Sequence, residues 1–128
     1  MVVVLVLLSG CQSTADNNEM NQEEDGPMYT KISPEEALNK MNEEGVIIID
    51  VREASEYAEG HVEGAQLLPL GDVKSGNLDL IPDKDQLILV YCRSGNRSGQ
   101  AAKILVANGY TNVLDFGGIL DWPYEVVK

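Results

Sequence analysis

The residues best suited to chemistry lie in Tyr91-Cys92-Arg93-Ser94-Gly95-Asn96-Arg97-Ser98. A thiol heads this short polar run, with two arginines and two serines close behind it. The thiolate, not the thiol, is the nucleophilic form, and cationic neighbours favour it. Before the run stands Leu87-Ile88-Leu89-Val90-Tyr91, apolar and of strand length. After it, Gly99 to Asn108 reads as a helix, with Gly109 suited to its C′ position. A strand, a short turn and a helix start form the arrangement in which open α/β sheets present ligand sites. The first N–H groups of a helix lack intrahelical partners, and the macrodipole adds partial positive charge. A loop curled there can aim several N–H groups at one anion. Here the anion is the Cys92 sulfur or a group bound to it. Arg93 and Arg97 offer planar guanidinium groups suited to oxyanions. Ser94 and Ser98 add hydroxyl donors, and Gly95 lets the loop curl. No general base is visible near Cys92.

The elements that must position this loop can be read in order. Tyr29–Ile32 is a short strand. Ser33, Pro34 and Glu36 form a helix start, with Ser33 as N-cap, Pro34 at N1 and Glu36 at N3 of a capping box. Ala37, Leu38 and Met41 follow at helical spacing, and Gly45 ends the segment. Val46 to Val51 is a β-branched run broken only by Asp50, as in a strand buried on both faces of a parallel sheet. Arg52–Glu59 is a short helix stopped by Gly60, His61–Ala65 is a turn, and Gln66–Leu68 is a short strand. Leu70–Asp85 is mostly polar with room for a helical turn. Asn112–Leu114 is a last strand, and Gly117–Trp122 begins a closing turn or helix. Strands alternating with helices predict an α/β fold, with a parallel sheet covered on both sides.

The chain has 128 residues and a net charge of −12, from 21 acids against nine bases. That balance argues against nucleic acid and against a polybasic membrane patch. Met1–Leu8 is apolar and meets Ser9-Gly10-Cys11, so residues 1–10 read as a signal peptide, too short to span a membrane. Leu8-Ser9-Gly10-Cys11 resembles the lipobox of bacterial lipoproteins, although no Lys or Arg precedes the apolar run. The resemblance implies cleavage before Cys11 and a lipid on its sulfur. Residues 11–27 are polar and acidic and read as a disordered tether, and the folded domain is expected over 28–128. The expected location is therefore extracytoplasmic, attached to the cell membrane or facing the periplasm through Cys11. With Cys11 lipidated, Cys92 is the one remaining thiol of two cysteines, which excludes an intramolecular resolving partner. One Cys and the single His61 make no metal site.

Taken in order, Ile49-Asp50-Val51-Arg52, Glu56-Tyr57, Gly60-His61-Val62-Glu63-Gly64-Ala65, the Cys92 loop, and Gly117-Gly118-Ile119 with Trp122 resemble a single-domain rhodanese. The resemblance implies a three-layer α/β/α fold around a mostly parallel five-stranded sheet. It implies Cys92 as the catalytic residue, and a substrate cradle over Arg93, Ser94, Gly95, Asn96, Arg97 and Ser98. It further implies a short strand or helix beyond the Trp motif, so the sheet edge is expected to be trimmed at Lys128. Asp50 and Arg52 are expected to pair with each other or to brace the loop. His61 is expected as a hydrogen-bonding anchor, and Trp122 as core.

The implied activity is sulfur transfer from a small anionic donor such as thiosulfate to a thiol or cyanide acceptor. It would run through a Cys92 persulfide, with no cofactor and no metal, in a monomer. A protein sulfur acceptor is a further expected partner. Alternatives remain: a persulfide carrier without turnover, or a thiol-redox protein forming mixed disulfides. A phosphatase or arsenate reductase fits less well. Such phosphatases have one residue more between Cys and Arg than the four separating Cys92 from Arg97, and commonly a His where Tyr91 stands.

Overall fold

The β-branched run Ile47-Ile48-Ile49 extends as a central strand because branched side chains pack well on a pleated surface. The structure, a computed structural model, describes residues 28–128. The expected signal peptide, the lipid-bearing Cys11 and the tether over 12–27 lie outside the described residues. Seven strands and four helices follow one another. They are β1 (Thr30–Lys31), α1 (Pro34–Lys40), β2 (Ile47–Asp50), α2 (Ala54–Glu59), β3 (His61–Val62), β4 (Gln66–Leu67), α3 (Leu70–Lys74), β5 (Ile88–Cys92), α4 (Asn96–Ala107), β6 (Val113–Gly118) and β7 (Val126–Val127), with a 3-10 turn over Ile119–Asp121.

Five strands form one sheet in the order β1-β6-β5-β2-β4. Every pairing in it is parallel. β5, with all five residues buried, lies at its centre. The period of two along each strand assigns the faces. Ile47, Ile49, Val51, Ile88, Val90 and Cys92 point to one side, where they meet Val73 of α3 and Ala101, Ala102 and Leu105 of α4. Ile48, Leu89 and Tyr91 point to the other, with Ala37 of α1, Phe116 and Trp122. The α/β sandwich with a parallel five-stranded sheet agrees with expectation.

Several boundaries differ from the sequence reading. α4 begins at Asn96, three residues before Gly99, because Gly95 adopts a left-handed conformation (φ 104°) that turns the chain directly into the helix. β5 extends through Cys92, and β6 runs on to Gly118, since its middle is paired on both sides by β1 and β5. α1 has the predicted capping box, with Ser33 Oγ accepting from Glu36 N–H at 3.1 Å and Glu36 Oε1 accepting from Ser33 N–H at 2.9 Å. It ends at Lys40, before Gly45. Arg52 precedes α2 and is not part of it. His61 and Val62 form strand β3, not a turn, and pair antiparallel with Val127 and Val126 of β7. A strand after the Trp motif is thus present, contrary to the expected trimming. No local pattern announces a two-residue pairing across so long a separation.

Ile49 is fully buried at the middle of β2. Ile49→Ala should therefore lower the unfolding free energy by about 2–5 kcal/mol. The measurement is a urea melt, with a lower midpoint at unchanged slope. A loss under about 1 kcal/mol would show that Ile49 is not closely packed between the helices and the sheet.

Candidate active site

Cys92 ends β5 on the face covered by α4 and is only 1 % exposed. The thiol is free. Three residues, Arg93 to Gly95, carry the chain from strand to helix above it. Gly95 N–H donates to Cys92 Sγ at 3.0 Å. The first bond of helical spacing in α4 runs from Gly99 N–H to Gly95 O at 3.2 Å. The N–H groups of Asn96, Arg97 and Ser98 therefore precede the helix ladder and gather at its positive end. Only Gly accommodates φ 104° without strain at the hinge.

The neighbouring strand holds the loop down. Between Val90 and Cys92 the pairing with β6 shifts from Asp115 to Gly118, so β6 carries an extra residue and bulges beside the thiol. Leu120 N–H donates to Arg93 O at 3.2 Å. A Cβ on Gly118 would fall inside the Arg93 carbonyl, so only glycine allows this approach. The Gly117-Gly118 pair thus sets the depth at which the loop sits.

Beneath the loop, Ser98 is fully buried and its Oγ lies 3.6 Å from Cys92 Sγ. The same hydroxyl donates to Asp115 Oδ1 at 2.8 Å. Gly117 N–H also donates to Asp115 Oδ1, at 2.9 Å. Asp115 is 3 % exposed, and burial pushes its carboxyl above the usual range despite these bonds. Sequence reading missed this acid and found no base near Cys92. The available signal was a carboxylate inside the otherwise apolar run Val113-Leu114-Asp115-Phe116.

Arg97 faces the site but is not free. Its two terminal nitrogens donate to Glu56 Oε1 and Oε2 of α2 at 2.7 and 3.0 Å. The hydrogen bond from Arg97 holds the Glu56 carboxyl down at about 2. Arg97 is kept charged first by that bond and further by the nearby Cys92 sulfur. Arg93, Ser94 and Asn96 are exposed at the loop rim. Arg93 makes no ion pair among the described residues.

Asp50, Arg52 and His61 do not hydrogen-bond to the loop. Arg52 binds Asp50 through Nε and Nη2 at 2.7–3.0 Å and donates to Gly60 O at 2.7 Å. Tyr91 Oη donates to Asp50 Oδ2 at 2.7 Å and accepts from Val62 N–H at 3.0 Å. Burial pushes the Tyr91 phenol upward, so this bridge stays protonated. The group ties the ends of β2 and β5 to β3, on the face opposite Cys92. His61 Nδ1 lies 3.0 Å from Tyr57 O, and its ring stacks on Tyr57 with centroids 3.8 Å apart. Trp122 is buried, and its Nε1–H donates to Glu125 O at 3.2 Å.

A buried thiol at the tip of a central parallel strand, beneath the start of a helix, is the arrangement that the comparisons with known proteins address. Residues 33–124 match the model of the rhodanese-like domain, and the chain belongs to that family. It is 44 % identical over 80 residues to the thiosulfate sulfurtransferase PspE of Escherichia coli strain K12, covering 62 % of this chain and 77 % of that protein. It is 39 % identical over 92 residues to the thiosulfate sulfurtransferase GlpE of Pseudomonas entomophila strain L48, covering 70 % of this chain and 80 % of that one. Among solved structures, it is similar to a rhodanese with anions from E. coli, with a TM-score of 0.60 and 42 % identity over 65 % of this chain and 98 % of that one. A rhodanese-like domain protein from Staphylococcus aureus gives a TM-score of 0.66 at 31 % identity, over 75 % of this chain and 93 % of that one. The protein is a rhodanese-like transferase of the sulfurtransferase family.

The Glu56–Arg97 pair carries a pH dependence. The Glu56 carboxyl lies at about 2 in the folded chain against an ordinary 4.5. A depressed acid contributes stability above its unfolded value and loses it as pH falls through the folded one. The stability gap between wild type and Glu56→Gln should be full above about pH 4.5 and close towards about pH 2. Denaturant melts at a series of pH values measure it, and a gap that does not vary with pH would show that the pair is not formed.

Proposed function

We propose that the protein moves a sulfane sulfur from thiosulfate to cyanide or a thiol, through a persulfide on Cys92. The observation that carries this reading is the Gly95 N–H aimed at Cys92 Sγ from 3.0 Å, at the start of α4. A thiolate there attacks the outer sulfur of thiosulfate. The new Sγ–S bond forms as the donor's S–S bond breaks, and sulfite leaves with the electron pair. The terminal persulfide sulfur bears one negative charge. The N–H groups of Asn96, Arg97 and Ser98 and the positive end of α4 are suited to hold it. Cyanide or a thiolate then attacks that sulfur, and Cys92 departs as thiolate.

Burial supports a transfer of one atom at a time. With Cys92 only 1 % exposed, the bulk of donor or acceptor must remain at the rim, where Arg93 offers positive charge to an oxyanion. The names of the relatives, thiosulfate sulfurtransferases from E. coli and Pseudomonas, support the same substrate. The lipobox-like Leu8-Ser9-Gly10-Cys11 supports a lipid anchor on Cys11 and an extracytoplasmic site of action.

Incubation with thiosulfate should add the mass of one sulfur atom, removed by cyanide and absent in Cys92→Ser. An unchanged mass in the native chain, or sulfur retained by the Ser variant, would overturn the mechanism. For the anchor, cells fed a labelled fatty acid should label the native protein and not Cys11→Ser. Equal labelling of both, or of neither, would remove Cys11 from the account.

A further inference from the structure

The sheet buries two carboxylates, Asp50 and Asp115. Asp50 is fully engaged by Arg52 and Tyr91 on the face away from the thiol. Asp115 has no such cation bonded to it, and it pairs in register with Val90, whose side chain shares the face of Cys92. Between Asp115 and the sulfur stands a single hydroxyl, that of Ser98. Its one proton has three acceptors within reach, Asp115 Oδ1 at 2.8 Å, Gly95 O at 3.2 Å and Gly117 O at 3.3 Å, and its oxygen accepts from the Cys92 thiol at 3.6 Å.

Two arrangements of this chain hold the same number of protons. With Asp115 ionised, Ser98 donates to it and turns a lone pair towards Sγ, which suits an S–H donor. With Asp115 protonated, the acid donates to Ser98, and Ser98 donates to a thiolate. They interconvert when the S–H proton passes to Ser98 Oγ as the Ser98 proton passes to Asp115 Oδ1. Each donor loses one proton and each acceptor gains one, and nothing is oxidised or reduced.

We propose that Asp115 is a positioning residue that takes up the Cys92 proton through Ser98, so that the nucleophilic thiolate and a neutral acid form together. The inference rests on Cys92 being the nucleophile. Two anions on one buried face repel each other and are poorly solvated, so a pair sharing one proton is favoured over a doubly ionised one. Burial already raises the Asp115 carboxyl, against the bonds from Gly117 and Ser98 and the charge of Lys31. The groups facing the pair come from every neighbouring element. Lys31 pairs with Asp115 from β1, and the Tyr29 hydroxyl lies beside Gly99 near Asp115 Oδ2. Arg97 faces the sulfur from α4, with Glu56 of α2 behind it. A neutral Asp115 also adds no repulsion against an anionic donor.

The test is the alkylation rate of Cys92 by iodoacetamide across pH, in the full chain, read on the Cys92 peptide by mass. A coupled pair titrates in two macroscopic steps. The native profile should show both, and Asp115→Asn and Ser98→Ala should each lose the lower one. A single native step, or an Asn profile that superimposes on the native one, would overturn the proposal. The 13C carboxyl resonance of Asp115 provides a second reading that does not require the Asp115 variant to fold. Its titration should be biphasic in the native chain and single in Cys92→Ala, and identical curves would equally overturn the relay. Alkylation needs no sulfur donor. A chain that gains no sulfur from thiosulfate but keeps the two-step profile would separate failure of the proposed reaction from failure of the relay.

Discussion

The structure depends on one sharp reversal, in which a buried central strand passes into a helix within three residues. Gly95 makes this reversal by adopting a left-handed conformation, and its N–H then points back at the sulfur that ends the strand. A residue with a Cβ would be strained there. The geometry also needs room from the next strand. β6 bulges beside Cys92, and Gly118 permits the Arg93 carbonyl to come close enough to accept a hydrogen bond from Leu120. A thiol at this point gains oriented N–H donors and a helix dipole without any mobile part, which is the low-reorganisation arrangement that stabilises developing negative charge.

The sheet divides labour between its faces. Alternation along β5 sends Val90 and Cys92 towards α4, and Leu89 and Tyr91 towards α1 and Trp122. The thiol and its hydrogen-bond partners therefore sit on one side. On the other, Asp50, Arg52 and Tyr91 form a buried polar group that joins β2, β5 and β3. A buried ion pair adds little net stability, because desolvation offsets most of the attraction. Its effect here is geometric. Arg52 also reaches the Gly60 carbonyl and Tyr91 accepts from Val62, so the strand ends and the start of β3 are held in one register. Removing one partner would strand the others in the core.

Charge is arranged just as locally. The chain carries a net charge of −12, yet the loop collects arginines and helix-start N–H groups around the sulfur. Arg97 is clamped to Glu56 in a two-point ion pair, which fixes its planar group beside the site but offsets much of its charge. Arg93 stays at the rim, exposed. Diffusional steering of an anion by the whole molecule is unfavourable in such a field, so an anion at the loop would be held by short-ranged contacts alone.

The sequence by itself determined the α/β class, the capping box at Ser33, the β-branched strand β2, and the place of Cys92 where a strand gives way to a helix. All of these are local: they rest on periodicity, glycine placement and a contiguous motif. It also placed Asp50 and Arg52 beside each other, since they are separated by one residue. Only the tertiary structure decided what depends on alternation and register across distant segments. Helix α4 starts three residues early because the Gly95 hinge and the packing of β6 select it over the local polar-turn pattern. Glu56 meets Arg97 because α2 and α4 are brought together at the same end of the sheet. The β3–β7 ribbon forms between residues with no shared local signal. Asp115, which reads as one more acid in an acid-rich chain, lies behind Ser98 because β5 and β6 are adjacent and parallel. A linear chain cannot display that adjacency, since it arises from pairing and burial.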